Sequence, residues 1–286
     1  MSNNHCMTVG ALYAALEARI PASLSCPWDH DGLSCCPDPD APVTGVLVAL
    51  DATEDAVALA AEQGCNVILT HHPMLFGGLA AVTPDTTEGR KTLRLVRDGI
   101  ATMAFHTRLD TLAGGVNDIL AARLGLVDVT AFGCNDNPAG VPMGRVGTLP
   151  SEMSLADFAA AVKTALSVPA TLGTPYIEHL TPVAPIVTFA ESEKSGRNKT
   201  VRRVAVLGGA GEDEIAAAVA AGADTYVTGE IGYHKLCDAP YGEINLVAAG
   251  HDFTEFPVCA YLADTVATLC PGVPVHVMGG TFTRSI

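Results

Sequence analysis

The chain has 286 residues, 49% of them apolar and 16% charged, which suits a globular α/β protein of one large or two modest domains. Its 16 basic side chains against 31 acidic ones give a formal net charge of -15, and without a basic tract to neutralise a phosphate backbone, nucleic-acid binding is disfavoured. No apolar run reaches the ~18 residues of a bilayer span, and the start lacks the flank and core of a secretory leader, so no membrane association and a cytoplasmic location are expected.

The nine cysteines, Cys6, Cys26, Cys35, Cys36, Cys65, Cys134, Cys237, Cys259 and Cys270, are odd in number and contain no CxxC pair. They read as reduced thiols, mostly small core residues, and Cys35-Cys36 near Cys26 has no credible zinc spacing.

Thr8 is placed to cap an amphipathic helix running to Ile20. An apolar strand follows at Val46–Leu50, then a turn, and then Glu54-Asp55, acids that favour a helix N-terminus. The alanine-rich helix stops at Gly64 and a β-branched run leads to Thr70-His71-His72-Pro73. Ile100–Asp110 runs from a strand into His106 and, four residues later, Asp110; Gly114–Asp118 then opens a helix ending at Leu124.

From there the pattern repeats. Ser154 is positioned to cap a second amphipathic helix, and Val204–Glu230 lies over Val46–His72 without a gap. It shows the same strand, turn, acids (Glu212-Asp213), helix, glycine (Gly222) and strand (to Thr228), and Ile244–Glu255 matches the run into His106 and Asp110. Strand-helix-strand units imply parallel pairing. The fold expected is therefore α/β, with two pseudo-repeated lobes (residues 1–135 and 136–286) of mixed, partly parallel sheets, packed about an approximate two-fold axis with a metal site at the seam. Glu191–Lys199 reads as an exposed loop, and Gly208–Gly211, which lacks a full phosphate-binding pattern, as a tight turn. Trp28, the only tryptophan, reads as a core or interface residue, with substrate stacking as the lesser alternative.

Three clusters at predicted C-terminal strand ends carry the chemistry: His71-His72, His106 with Asp110, and His251 with Glu255. A histidine and a carboxylate four residues apart share one face of a helical turn, and imidazole with carboxylate suits Zn, Mn, Fe or Ni. Neighbouring side chains on a strand point to opposite sides, so in regular strand geometry His71 and His72 cannot easily chelate one ion, but each could serve a different ion of a pair. Taken singly, each cluster is as well explained by hydrogen bonds that tie down a loop.

With the segments WDHDGL (Trp28–Leu33), THHPMLF (Thr70–Phe76), HTRLDTLAGGVND (His106–Asp118), GADTYVTGEIGYH (Gly222–His234) and GHDFTEFP (Gly250–Pro257), the sequence resembles the NGG-interacting-factor-three-like family, also described as the GTP cyclohydrolase I type 2 family. The resemblance implies two divalent ions per chain (Zn, Fe, Mn or Ni) held by His71, His72, Asp110, His251 and Glu255. It also implies that His106 and His234 support the ligands or face the substrate, and a homo-oligomer, a ring-shaped hexamer; an imidazole titrates near neutral pH, so either histidine could also transfer protons. His30 departs from the asparagine common at that position, which leaves the role of its loop open.

Two divalent ions facing only Asp110 and Glu255 keep a positive surplus that attracts an anionic small molecule, and five ligands leave coordination positions for water. The function expected is a dinuclear-metal-dependent hydrolase acting through metal-bound hydroxide on a purine nucleotide or other phosphorylated compound. Alternatives are a non-catalytic metal-binding interaction or regulatory protein, a metal carrier, and a dinuclear phosphoesterase.

Overall fold

The computed structural model describes residues 7–172, 176–194 and 200–279. The chain begins with α1 (Val9–Arg19), β1 (Gly32–Cys35), β2 (Val46–Ala49), α2 (Glu54–Glu62), β3 (Val67–Thr70), α3 (Thr87–Asp98) and β4 (Ala101–Ala104). It continues through the single turn α4 (Thr107–Thr111), α5 (Val116–Arg123), β5 (Val127–Phe132), β6 (Gly144–Ser154), α6 (Leu155–Leu166), β7 (Ile177–His179) and β8 (Thr188–Ala190). Then come β9 (Thr200–Leu207), α7 (Ile215–Ala220), β10 (Thr225–Thr228), α8 (Tyr233–Asp238), β11 (Asn245–Ala248), α9 (His251–Glu255), α10 (Val258–Leu269) and β12 (Val275–Met278).

These elements form two compact units. The first takes the described residues of Met1–Leu109, Ala170–Leu180 and Val258–Thr281, the second those of Asp110–Pro169 and Thr181–Pro257. The first unit's sheet has the order β1-β4-β3-β2-β12-β7, parallel throughout except for β1 at the edge. The second unit's sheet, β5-β6-β9-β10-β11-β8, is parallel only across β9, β10 and β11. Strands β2, β3 and β4 are buried along their whole length, as their unbroken apolar runs require when a parallel sheet is covered on both faces.

The internal repeat is real at the level of register. Val46 pairs with Val67 and Val204 with Thr225, positions that the gapless alignment makes equivalent. In both sheets the third parallel strand carries an antiparallel edge strand, β1 on β4 and β8 on β11. Local signals act as the sequence indicates. Thr8 and Ser154 accept from the amides of Ala11 and Asp157, and Gly64 and Gly222 take φ of +70° and +77° just past α2 and α7.

Several expectations need correction. The compact units are not the contiguous halves 1–135 and 136–286, because α10 and β12 return to the first sheet, where Val275–Val277 pair with Val46–Val48. The corresponding flank of β9 is filled by antiparallel β6. The helix after Glu212-Asp213 starts as a 3₁₀ turn (Glu212–Glu214) and reaches only six α-helical residues in α7. In the segment 191–199, Glu191, Glu193 and Lys194 are exposed as expected, but Ser192 is buried, its amide donating to Asn245 Oδ1 and its hydroxyl to the Gly242 carbonyl; residues 195–199 lie outside the described residues. Trp28 is not a core residue, being 55% exposed. Cys26, Cys65, Cys259 and Cys270 are buried, Cys237 is exposed, and Cys6 lies outside the described residues. Among the described residues no helix is long and apolar enough to cross a membrane.

The first unit's core joins Leu47 and Ile68 of the sheet to Ala56, Ala60 and Leu95 of α2 and α3, and the second packs Ala205, Tyr226 and Leu246 against Ala218. Val277, fully buried on the strand between β2 and β7, is the sharpest probe of this arrangement. Val277→Asp buries an unpaired carboxylate and is expected to abolish cooperative urea unfolding of the first unit. Ser154→Ala, which removes the cap of α6, should cost only about 1 kcal/mol in the same measurement.

Candidate metal centre

In the first unit, β3 ends at Thr70, whose hydroxyl donates to the His72 carbonyl at 2.7 Å and closes a bend before Pro73. The bend removes strand alternation. The His71 and His72 rings therefore lie on the same side, with centroids 4.9 Å apart, contrary to the opposed placement expected of strand neighbours. His106 follows the adjacent parallel strand β4, 5.2 Å from the His71 ring and 5.5 Å from that of His72. One ligand nitrogen from each of the three lies within 4.8 Å of the other two.

Each ring is held from behind. His71, fully buried, sets Nδ1 3.0 Å from the Phe105 carbonyl, an acceptor only, so Nδ1 carries the proton and Nε2 keeps its lone pair. His72 Nδ1 lies 2.8 Å from Asp51 Oδ1, and His106 Nδ1 3.0 Å from Asp29 Oδ1. Such partners fix tautomer and ring orientation and raise the basicity of the nitrogen that faces a metal.

The Trp28–Leu33 loop has its role here. Asp29 also accepts from the Thr107 amide at 3.0 Å and the Thr107 hydroxyl at 2.6 Å. Burial alone would raise its carboxyl pKa, but the hydrogen bonds and charge from His106 and the bonds from Thr107 hold it well below the usual carboxylate range. Asp31 accepts from the His106 amide and takes both Nε and Nη2 of buried Arg108 at 2.7 Å. Arg108 in turn reaches the Ile20 carbonyl, so α1, the loop and the start of α4 form one braced assembly. Burial works against its charge, yet Asp31 more than compensates and raises its pKa. His30, between the two carboxylates, is exposed.

In the second unit, His251 and Glu255 fall one turn apart on α9, with Nε2 and Oε2 3.2 Å apart, as their spacing predicts. His251 Nδ1 rests 3.0 Å from Glu230 Oε1, while Glu255 is buried. Glycines let the backbone close around this pair. A Cβ on Gly209, whose φ is +68°, would meet Glu255 Oε1 at 2.2 Å, and one on Gly229 would meet the His251 Cα at 2.6 Å. The tight turn expected at Gly208–Gly211 is thus present, and its amides are taken by protein: Gly208 by Asn117, Gly209 by Thr254 and Gly211 by Thr228.

Asp110, on α4, is 7% exposed, and its backbone carbonyl accepts from buried Asn117. Since Asn117 Oδ1 accepts from Gly208, one amide side chain ties the Asp110 backbone to the glycine turn beside Glu255. Arg145 braces the other end of α4 through the Thr111 carbonyl and Asp118. Among the described residues His234 joins no group of ligand atoms; it sits exposed on α8 against Tyr233, whereas His106 stands with His71 and His72.

The family model for Duf34/NIF3 (NGG1p interacting factor 3) matches residues 7–281. The chain belongs to this family. A Duf34/NIF3 relative from Clostridium perfringens, named a GTP cyclohydrolase 1 type 2 homolog, is 30% identical over 265 residues, 91% of each chain. Another of the same name from Streptomyces coelicolor is 32% identical, covering 86% of this chain and 80% of its own. A crystal structure of a hypothetical protein from Staphylococcus aureus superposes with a TM-score of 0.79 at 26% identity, over 98% of this chain and 99% of that one.

The donors fit a first-row divalent ion: three grouped imidazoles in the first unit, and in the second an imidazole beside a buried carboxylate. Asp51→Ala, which leaves His72 unbraced, should weaken metal affinity about 10- to 100-fold in a chelator competition, with circular dichroism unchanged. Gly209→Ala is expected to displace the Glu255 carboxylate and lower the metal bound at saturation.

Proposed function

We propose that this Duf34/NIF3 protein is a dinuclear-metal-dependent hydrolase resembling the GTP cyclohydrolase 1 type 2 homologues, acting on a purine nucleotide or another phosphorylated compound. His71, His72, Asp110, His251 and Glu255 are the ligands in this reading. The observation that carries it is the braced donor set: His71, His72 and His251 each hold Nδ1 on an acceptor, and Asp110 and Glu255 are buried carboxylates.

A pair of divalent ions supplies Lewis acidity and an acidified water when bound. The chain's own residues do the rest. His71, His72 and His251 present preset nitrogens, so little rotamer freedom is lost at binding. Glu255 and Asp110 are buried carboxylates that offset cationic charge without cancelling it, which leaves the site attractive to an anion in a protein whose net charge of -15 otherwise repels one. His106 accepts a proton at Nε2, and Asp29, bonded to its Nδ1, steadies the ring as it becomes cationic. This placement favours His106 over exposed His234 as the proton carrier.

The test is product analysis on protein loaded with Mn, Fe or Zn and supplied with GTP or a panel of phosphoesters. Formate release from GTP, lost by at least about 100-fold in His251→Ala with the fold retained, is the expected result. Phosphate release with an intact purine ring would reassign the protein as a phosphoesterase. No turnover on any substrate would overturn the proposal in favour of a non-catalytic metal-binding role.

A further inference from the structure

Trp28 and Phe76 are large apolar side chains left 55% and 63% exposed. Isolated exposed hydrophobics are ordinary, but these two are neighbours, with ring centroids 6.2 Å apart. Both also flank His106, Trp28 at 6.3 Å and Phe76 at 6.0 Å, and His30 meets Phe76 at 6.1 Å. The contacts with His106 are near-perpendicular, at 77° and 78°, so neither ring is stacked flat on the imidazole.

The platform is rigid at its base. The Trp28 turn is closed by the Asp29 amide on the Cys26 carbonyl, and the Cys26 amide donates to Thr107 Oγ1 at 2.9 Å. The carboxylate of Asp29, the next residue, is fastened to His106 and Thr107. Phe76 is carried two residues beyond buried Met74, which anchors its segment in the first unit's core. Two solvent-facing aromatic rings, fixed beside an imidazole cluster and edged by a polar imidazole at His30, match a flat ring with polar edges better than an aliphatic or purely ionic group.

We propose that Trp28 and Phe76, whose ring planes are tilted 48° to one another, form an angled aromatic corner for the planar heteroaromatic ring of the small molecule handled at the His71-His72-His106 cluster, one ring stacking on the base and the other meeting its edge, a purine-type base being the class that fits. The inference rests on the hydrolase reading for its substrate, and it adds the specificity element: contact with Trp28 and Phe76 selects the base, while the phosphate is drawn by charge. Ring faces accept any base, so the platform sets ligand class, and His30 is the polar group placed to read the ring's edge.

Trp28 is the only tryptophan, so its fluorescence reports on this position alone. Mn-loaded protein is titrated with guanosine 5′-monophosphate and, separately, with ribose 5-phosphate. Saturable quenching by the nucleotide and none by the sugar phosphate is expected. Calorimetry on Trp28→Leu and Phe76→Leu should show nucleotide binding weakened roughly 10- to 100-fold, with ribose 5-phosphate binding and metal content unchanged. Nucleotide binding that leaves the emission and both variants' affinities unaltered would overturn the proposal, as would no binding at all. Emission that responds only to protein concentration would also overturn it, by showing the rings to be covered by a second copy of the chain. Binding with quenching but without turnover would sustain the platform while removing the hydrolase reading, so the two can fail separately.

Discussion

An imidazole makes a well-aimed metal ligand when its second nitrogen is held, and this constraint organises the protein. His71, His72, His106 and His251 each set Nδ1 against an acceptor: the Phe105 carbonyl, Asp51, Asp29 and Glu230. Each bond orients a ring that a strand-end loop would otherwise leave free to turn. The turns that carry two of these acceptors are themselves braced. Lys91 donates to the Ala52 carbonyl beside Asp51, and Arg108 grips Asp31 two residues from Asp29. Desolvation lowers the Lys91 pKa, the expense of placing a half-buried cation under that turn.

The repeat explains how one design came to supply both the candidate ligands and the groups that hold them. In the gapless alignment His72 lies opposite Glu230, and Asp51 opposite Gly209. The position just past β3 therefore carries an imidazole, whereas the same position past β10 carries the carboxylate that braces His251. Likewise the turn after β2 offers the acceptor for His72, while the turn after β9 offers a glycine that makes room for Glu255. Parallel strands deliver these positions to one end of each sheet, where the backbone leaves the ladder and can bend.

Much of this was legible in residue order. Apolar runs, caps and glycines located β2-α2-β3 and β9-α7-β10, and the four-residue spacing placed His251 and Glu255 together because that geometry is local. What escaped depends on distance along the chain. His106 meets Asp29 across 77 positions and Gly208 meets Asn117 across 91, and no period or motif encodes either pairing. The Thr70 bend, a single hydroxyl-carbonyl bond, reversed the expected orientation of His71 relative to His72. The lobe boundaries missed because β12 has no counterpart in the repeat: a strand that joins a sheet from the far end of the chain leaves no local mark. Trp28 looked apolar enough for a core, and only the hydrogen bonds that fasten its turn to Thr107 show why it stays outside.

The measurement that bears most directly on the account is the quantity of metal in the purified protein after loading and removal of excess ion, read by elemental analysis against protein concentration. Two ions per chain, falling when either Glu255 or His71 is replaced by alanine, is the predicted result. A single ion per chain, or an amount indifferent to both substitutions, would contradict it.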